Sequence, residues 1–383
     1  MAQFECKVLS SISDIDRDAW QRIFAGAAEG YDYFLAAERS PPQLFDYAAV
    51  AAFDGARMIA GSPTFLTRFD AGMFLDGTAG RIFNGLTSLV PALGRVPMVG
   101  FGSPHTQEPT LVFDPALNDG QRKEAFVALL DGLDRFAATN GARLAVAKDV
   151  SQDTQSWAEH PLAGSGYSRV TALPVAILEI PDSEEAYIGS LSGNMRSNLR
   201  RRLKRARNVR VEIRDNCEGL TDQLYALREA TMNRGSGDFA HFATTSREFY
   251  PEVLTQLPGK AKLLTYWLED RLIAFSLVVL GPTRLVQNYN GMRYPEGPDN
   301  GVFYLDWMTQ IRLCMEHGIK ELQSGVTTYL IKARLGSRFH RRYFYIRHRY
   351  RSINKVVRSL SEGVSLEQDD PGLQELGDSA PFV

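Results

Sequence analysis

Apolar and polar positions along the chain fall into one arrangement that occurs twice. Tyr47 to Phe53 and Ala56 to Leu66 predict two strands joined by Asp54-Gly55, a dipeptide that supplies the positive φ of a tight hairpin. Phe126, Leu129, Leu130, Leu133 and Phe136 then recur at helical spacing, Asn140-Gly141 ends that helix, and Leu144 to Ala147 predict a strand. The second half has the same order. Lys262 to Leu268 and Leu272 to Leu280 flank Glu269-Asp270-Arg271, and Arg284 to Asn290 predicts a third strand. Leu305, Met308, Ile311, Cys314 and Met315 form one helical face, Gly318 ends the helix, and Ile319 to Gln323 predict the next strand. The copies are not at a fixed offset: Ala60 and Ala274 correspond at 214 residues, Gly141 and Gly318 at 177. The first copy therefore carries about 37 extra residues, placed by its Gly and Pro content between Ser62 and Asn118. The pattern predicts two related α/β units.

A length of 383 residues with 44% hydrophobic content suits an ordinary globular protein of two or three domains and excludes disordered and fibrous classes. The longest apolar stretch, Leu272 to Gly281, is about half of a bilayer span, and the start of the chain lacks a basic-then-apolar leader pattern. The expected location is the cytoplasm. Cys6, Cys217 and Cys314 are too dispersed for a disulfide framework or a zinc knuckle, and His340 and His348 lack neighbouring ligands, so no metal site is expected. A net charge of −2 hides segregation: residues 1–185 hold 14 basic and 24 acidic residues, residues 186–358 hold 29 and 15, and the remaining tail holds none and 6. The middle part, at +14, is the footprint expected of a polyanionic partner, unless the acidic parts neutralise it internally. The tail shows no apolar period and reads as disordered.

Asp182-Ser-Glu-Glu185 predicts an N-cap for a short helix through Tyr187, Ile188 and Leu191. In the run that follows, residues 193–207, Met195, Leu199, Leu203 and Ala206 form one apolar stripe. Arg196, Arg200, Lys204 and Arg207 form a second stripe and Arg201 with Arg205 a third, with no acid among them. Like charges four residues apart cost this helix about 1 kcal/mol in all. A solvated face usually mixes signs, and arginine's planar fork suits phosphate oxygens, so the run points to an anionic ligand. A second basic segment, Lys332 to Arg351, interleaves arginines with Phe339, Tyr343, Phe344, Tyr345 and Tyr350. It suits nucleic acid, or equally a β-strand whose aromatic face is core.

The Met-Arg-Ser-Asn-Leu-Arg-Arg core within residues 192–211, together with Gly318 to Gly325 and the Tyr329-x-x-Lys332-x-x-x-Gly336 ending, resembles Fem-type aminoacyltransferases and their peptidoglycan-biosynthesis-like relatives. The likeness covers roughly residues 10 to 350. It implies an α/β fold of two tandem GNAT-like (N-acyltransferase) domains, each a mixed β-sheet flanked by helices, with a basic linking helix. The expected domains are 1–181, 182–358 with the Arg-rich helix, and the acidic tail 359–383. The implied activity is transfer of an aminoacyl or acyl group to an amine on a small molecule or peptide. The donor is aminoacyl-tRNA, or alternatively acyl-CoA, with no tightly bound cofactor. Residues 291–301 lack the spacing of the pyrophosphate loop by which GNAT enzymes hold acyl-CoA, which favours tRNA as partner.

Such transfer needs a deprotonated amine and a stabilised oxyanion. The resemblance puts Lys332 at the donor as an oxyanion or phosphate partner; Asp306, one turn into a helix beside Leu305 and Trp307, is a candidate to orient or deprotonate the amine. Tyr304, Tyr289, Asn290 and Tyr329 offer hydrogen bonds around the acyl group, and Arg196, Arg200, Arg201, Lys204 and Arg334 bind the donor's phosphates. Each has a plainer alternative as a surface lysine, a cap, a core tyrosine or a neutralised cation. A non-catalytic RNA- or anion-binding protein of the same fold is the reading from another class. A serine-hydrolase elbow and a Walker A loop are both missing from the sequence.

Overall fold

A computed structural model describes residues 4–40, 44–70, 95–106, 110–234, 245–361 and 364–383. The first part of the chain forms β1 (Glu5–Leu9), α1 (Arg17–Ile23), α2 (Tyr31–Arg39), β2 (Phe45–Asp54), β3 (Arg57–Asp70), β4 (Arg95–Phe101), β5 (Val112–Phe113), α3 (Asp119–Thr139), β6 (Leu144–Ser151), α4 (Gln152–Gly164), β7 (Ser168–Thr171) and β8 (Val175–Glu179). Next come α5 (Glu184–Ser190), α6 (Gly193–Arg205), β9 (Val209–Arg214), α7 (Thr221–Met232), α8 (Phe249–Gln256), β10 (Ala261–Leu268), β11 (Arg271–Leu280) and β12 (Arg284–Met292). The remainder forms α9 (Glu296–Asp299), α10 (Val302–Glu316), β13 (Glu321–Gln323), α11 (Tyr329–Arg334), β14 (Arg338–His340), β15 (Arg342–His348), α12 (Arg351–Ser361), α13 (Leu366–Asp369) and α14 (Pro371–Leu376). Both sequence-predicted hairpins and both helix–glycine–strand passages are present. Gly55, Gly141 and Gly318 take the positive φ that their turns require.

The chain forms two compact units. The first contains Met1–Ala25, Pro41–Leu173 and Arg341–Asp370; the second contains Gly26–Ser40, Pro174–His340 and Pro371–Val383. The first sheet runs β1-β2-β3-β4-β6-β15-β7, and the second, read from its matching edge, β9-β10-β11-β12-β13-β8-β14. The two orders are the same plan. Among the described residues each sheet is antiparallel except for one central parallel pair, β4 with β6 and β12 with β13, where the chain crosses over through a helix.

The position next to last in each sheet is filled from elsewhere in the chain. β8 follows β7 closely in sequence yet pairs with β13 and β14, while β15 follows β14 and pairs with β6 and β7. A single cut between 181 and 182 therefore does not separate the units, because each sheet needs a strand from beyond that cut. β15 also decides between the two readings of the second basic segment: Tyr345 is 1% exposed within the first unit's core, as a strand with an aromatic core face requires.

The acidic tail, expected to lack order, has short helices. Leu373 is buried, and Phe382 meets Phe339 ring to ring at 5.9 Å while Phe339 N donates to Pro381 O at 2.8 Å. Its acids also find cations: Glu367 pairs with Arg341 at 3.2 Å and Glu375 with Arg334 at 4.0 Å. The extra residues of the first copy fall partly on 71–94, outside the described residues. Among the described residues no helix is long and apolar enough to cross a membrane.

Candidate active site in the second unit

Helix α6 starts where Ser192 accepts a hydrogen bond from Met195 N at 3.3 Å. Its apolar stripe docks as predicted: Met195, Leu199 and, just beyond the helix, Ala206 are buried, and Leu203 packs against the same core. Arg200, Arg201, Lys204, Arg205 and Arg207 are exposed. Among the described residues none of these cations has an acidic partner, so the internally neutralised reading is not what the fold contains. Arg196 differs from the others. Its Nη1 donates to Gly189 O and Leu191 O, both at 2.9 Å, closing the end of α5. Asp182 is not the cap of α5; Ser183 is, accepting from Ala186 N at 3.1 Å.

The basic helix lies against the start of α10. Asn198 Nδ2 donates to Tyr304 Oη at 3.3 Å, and the Arg202 guanidinium sits 5.6 Å from the Tyr304 ring centre. Gly301, at φ +67°, caps α10; a Cβ there would stand 2.6 Å from Arg202 O, so only glycine permits this approach.

Beside α10 the sheet opens. β12 pairs with β13 over only three residues, Arg284 to Val286, and then continues to Met292 along β11 alone. Thr283 O accepts from Glu321 N at 3.1 Å, so alternate residues of β12 face β13. Gln287 is the first of these with no strand opposite among the described residues. At the same level Asn288 is an extra residue against β11, a bulge between the pairs Val278–Gln287 and Leu277–Tyr289. Helix α7 covers the far end: Arg228 Nη1 donates to Asn290 O at 3.3 Å, Met292 N donates to Thr231 Oγ1 at 2.8 Å, and a Cβ on Gly291 would strike α7 backbone at 2.7 Å.

Asp306, on the second turn of α10, faces this opening with both oxygens bonded. Tyr266 Oη donates to one at 2.7 Å; Gln287 Nε2 at 3.1 Å and Gln310 Nε2 at 2.8 Å donate to the other. Desolvation raises the Asp306 pKa, against the lowering effect of its donors. Gln287 Nε2 also reaches Ser276 Oγ at 3.2 Å. A second polar group surrounds the bulge, where Asn288 Nδ2 donates to Glu29 Oε1 and, at 3.1 Å, to Tyr33 Oη. Glu29 is 1% exposed, and its segment joins α2 as part of this unit.

Lys332 is 3% exposed rather than a surface lysine. Its Nζ donates to Ser324 O and, at 3.3 Å, to Gly325 O, at the end of β13. Helix α11 is held there by a chain of bonds in which Tyr187 Oη accepts from Trp307 Nε1 at 2.7 Å and donates to Leu335 O at 3.0 Å. Burial pulls the Lys332 pKa down to about 7. Between that value and the ordinary lysine value of 10.5 the unfolded chain carries a proton that the folded one lacks, so stability rises with pH across the window. The wild type is expected to gain up to ~3 kcal/mol relative to Lys332→Met between pH 7 and 9.5, read from urea unfolding at each pH. A flat difference would mean that the lysine stays charged in the fold.

The structure thus brings Arg200, Arg201, Lys204 and Tyr304 together along α6 and α10, and puts Asp306 two residues further on. No hydrogen bond or ion pair links these to Lys332 among the described residues. Tyr329 spends its hydroxyl on Pro174 O at 2.7 Å, and Arg334 is exposed and pairs with Glu375. Asn290 is exposed and Tyr289 buried beneath Arg228, 5.1 Å from its ring centre. Sequence reasoning missed Gln287, Tyr266, Gln310 and Glu29. Polar residues within apolar strands were the available signal, Ser276 in the run Leu272 to Leu280 above all; nothing local marks Glu29.

Residues 193–333 match the model of the acetyltransferase (GNAT) domain. No curated protein matches the chain by sequence. Among solved structures the fold is similar to FemX, at 13% identity and a TM-score of 0.52, over 83% of this chain and 95% of that one. It is similar to a tandem GNAT protein from the clavulanic acid biosynthesis pathway, at 13% identity and 0.52, over 90% and 98%. A third likeness, at 12% identity and 0.53 over 92% and 97%, is to the C-terminal domain of an Agrobacterium fabrum protein assigned as a lysylphosphatidylglycerol synthetase. Two sheets of one strand order, the second unit carrying the matched GNAT domain, and solved structures that superpose along most of both chains give this protein a tandem GNAT-like fold.

Proposed function

We propose that the second unit transfers an aminoacyl group from aminoacyl-tRNA to an amine on a small molecule or peptide. The observation that carries this reading is α6, whose exposed arginines and Lys204 have no acidic partner among the described residues and border the start of α10. Such a stripe suits a run of phosphates better than a single small anion. The donor's acyl end then enters the opening between β12 and β13. The amine attacks the ester carbonyl, the tetrahedral oxyanion forms, and collapse breaks the ester bond, the amine's proton passing to the departing ribose oxygen. Asp306 takes that proton directly and hands it to the ribose oxygen, or orients the amine through Gln287, whose Nε2 donates to it. Tyr304 orients the acyl group beside α6, and Lys332, able to exchange its proton near pH 7, supports the turn at the end of β13 where the oxyanion develops.

Acyl-CoA is the second reading. It is favoured by the matched acetyltransferase domain, and by the start of α10 at Gly301, which has no side-chain cap. Binding of the purified protein to bulk aminoacyl-tRNA and, separately, to acetyl-CoA, each from about 50 to 200 mM salt, tests both. Tight, steeply salt-dependent tRNA binding is the expected result. Saturable acetyl-CoA binding without tRNA binding would overturn it in favour of the second reading.

A further inference from the structure

The first unit contains a cavity of about 420 Å³ that the proposed transfer does not use. It opens at the start of β6, beside Arg143 and Leu144, and is closed by the end of α3, the turn Gly164–Gly166, the end of β15 and the start of α12. β4 and β6 run parallel, and ligands of open α/β sheets bind beyond the carboxyl ends of such strands. This cavity is at the opposite end.

Most of its charged side chains are cationic, Arg143, Arg347, Arg349 and Arg351 standing beside His348. Arg143, Arg349 and Arg351 are exposed and have no acidic partner among the described residues. Asp134, the one acid in the lining, is taken by Arg347 Nη2. Arg347 Nη1 also donates to Ser165 O at 3.2 Å, while its Nε is buried with no partner. His348 is 7% exposed, and its Nδ1 accepts from Tyr350 N at 3.1 Å. That bond fixes the tautomer: the proton of the neutral ring must be on Nε2, which has no hydrogen-bond partner among the described residues, and His348 lines the cavity. Asn354 spends its Oδ1 on His348 N at 2.8 Å and its Nδ2 on Gly166 O at 2.8 Å, so it offers the cavity little. The first backbone N–H groups of the eleven-residue α12 add to the same sign. A site with four guanidinium groups and an imidazole N–H, its one carboxylate paired with Arg347, favours an anion over a cation.

We infer that this cavity binds the phosphate or pyrophosphate group of a nucleotide, through Arg143, Arg349, Arg351 and His348. Its volume is in the range of small-ligand sites, and Tyr350, 52% exposed with its ring 5.5 Å from His348, offers a face on which a base can stack. The inference does not depend on the donor read for α6.

The test uses the full chain and titrates inorganic pyrophosphate, then ADP and adenosine, by calorimetry at fixed ionic strength. Pyrophosphate and ADP are expected to bind saturably at one site and adenosine far more weakly. Arg143→Ala combined with Arg351→Ala should weaken pyrophosphate about 100-fold, roughly tenfold for each charge-assisted hydrogen bond removed, and His348→Phe about tenfold. Both arginines are exposed, so replacing them leaves the core untouched. The inference fails if pyrophosphate does not saturate, or if the double variant binds it as the wild type does. It also fails if Arg200→Ala with Arg201→Ala abolishes pyrophosphate binding, because the probe would then occupy α6. Pyrophosphate binding that survives while tRNA binding is absent would retain this site and sink the donor reading alone.

Discussion

Replacing Asp306 by alanine is expected to remove at least about 3 kcal/mol of stability, and Asp306→Asn to retain the fold while lowering kcat by two or more orders of magnitude. The first figure follows from what would be left behind. Tyr266 is fully buried and Gln310 1% exposed, and both spend a donor on this carboxylate. Gln310 Oε1 already has no partner, so without Asp306 that side chain would be unsatisfied at both ends. Hydrogen bonds to a charged acceptor contribute about 1.5–3 kcal/mol each, and a buried donor stripped of its partner costs its desolvation as well. Asparagine keeps the volume and one acceptor, but turns an NH₂ toward groups that are themselves donors. It also cannot accept the amine's proton. Urea unfolding gives the stability change. Deacylation of the donor with a generic primary amine gives kcat and KM. A fall in kcat below tenfold with KM unchanged would reduce Asp306 to a member of the core network.

Sequence periodicity reveals those parts of the fold whose partners are close along the chain. Both hairpins, the two crossover helices and the buried stripe of α6 follow from spacing alone, because each depends on interactions within a few turns or across one tight loop. The exchange of β8 and β15 does not. Each is a short apolar or aromatic run that pairs equally well with any free edge, and its choice is made by elements more than 100 residues away. The same holds at the site. Lys332 looks like a surface lysine because its neighbours Ile331 and Ala333 do not mark it as buried; only the fold turns it onto the carbonyls of Ser324 and Gly325. Glu29 meets Asn288 across a separation of 259 residues, through a bulge that no propensity predicts. The tail departs from expectation for another reason: two apolar residues, Leu373 and Phe382, are enough to seat it when pockets await them, and an absence of period says nothing about pockets.

Substituting Arg200, Arg201 and Lys204 together by alanine is expected to weaken donor binding about 100-fold near 0.1 M salt and at the same time to stabilise the protein by roughly 1 kcal/mol. The two effects have one cause. Arg200 is four residues from both Arg196 and Lys204, and Arg201 four from Arg205, so the triple change removes three like-charge pairs, each costing ~0.2–0.5 kcal/mol. Alanine is also the strongest helix former, and the exposed positions bury nothing that its smaller side chain would forfeit. A helix selected for stability alone would not keep these residues. Against a polyanion the balance reverses, since each neutralised phosphate releases condensed counterions and the gain grows as salt falls. The variant should therefore show a higher urea midpoint, a weaker tRNA affinity and a salt dependence shallower by roughly two in the log–log slope, at about 0.7 for each single-strand phosphate no longer neutralised. Arginine-to-lysine changes at the same positions separate charge from geometry. They should retain the salt slope but lose affinity if planar bidentate bonding to phosphate carries the recognition, and lose neither if the stripe acts as a diffuse charge. A triple alanine variant that is more stable and binds the donor unchanged would remove the tRNA reading, because the exposed cations of α6 would then have no anion to answer.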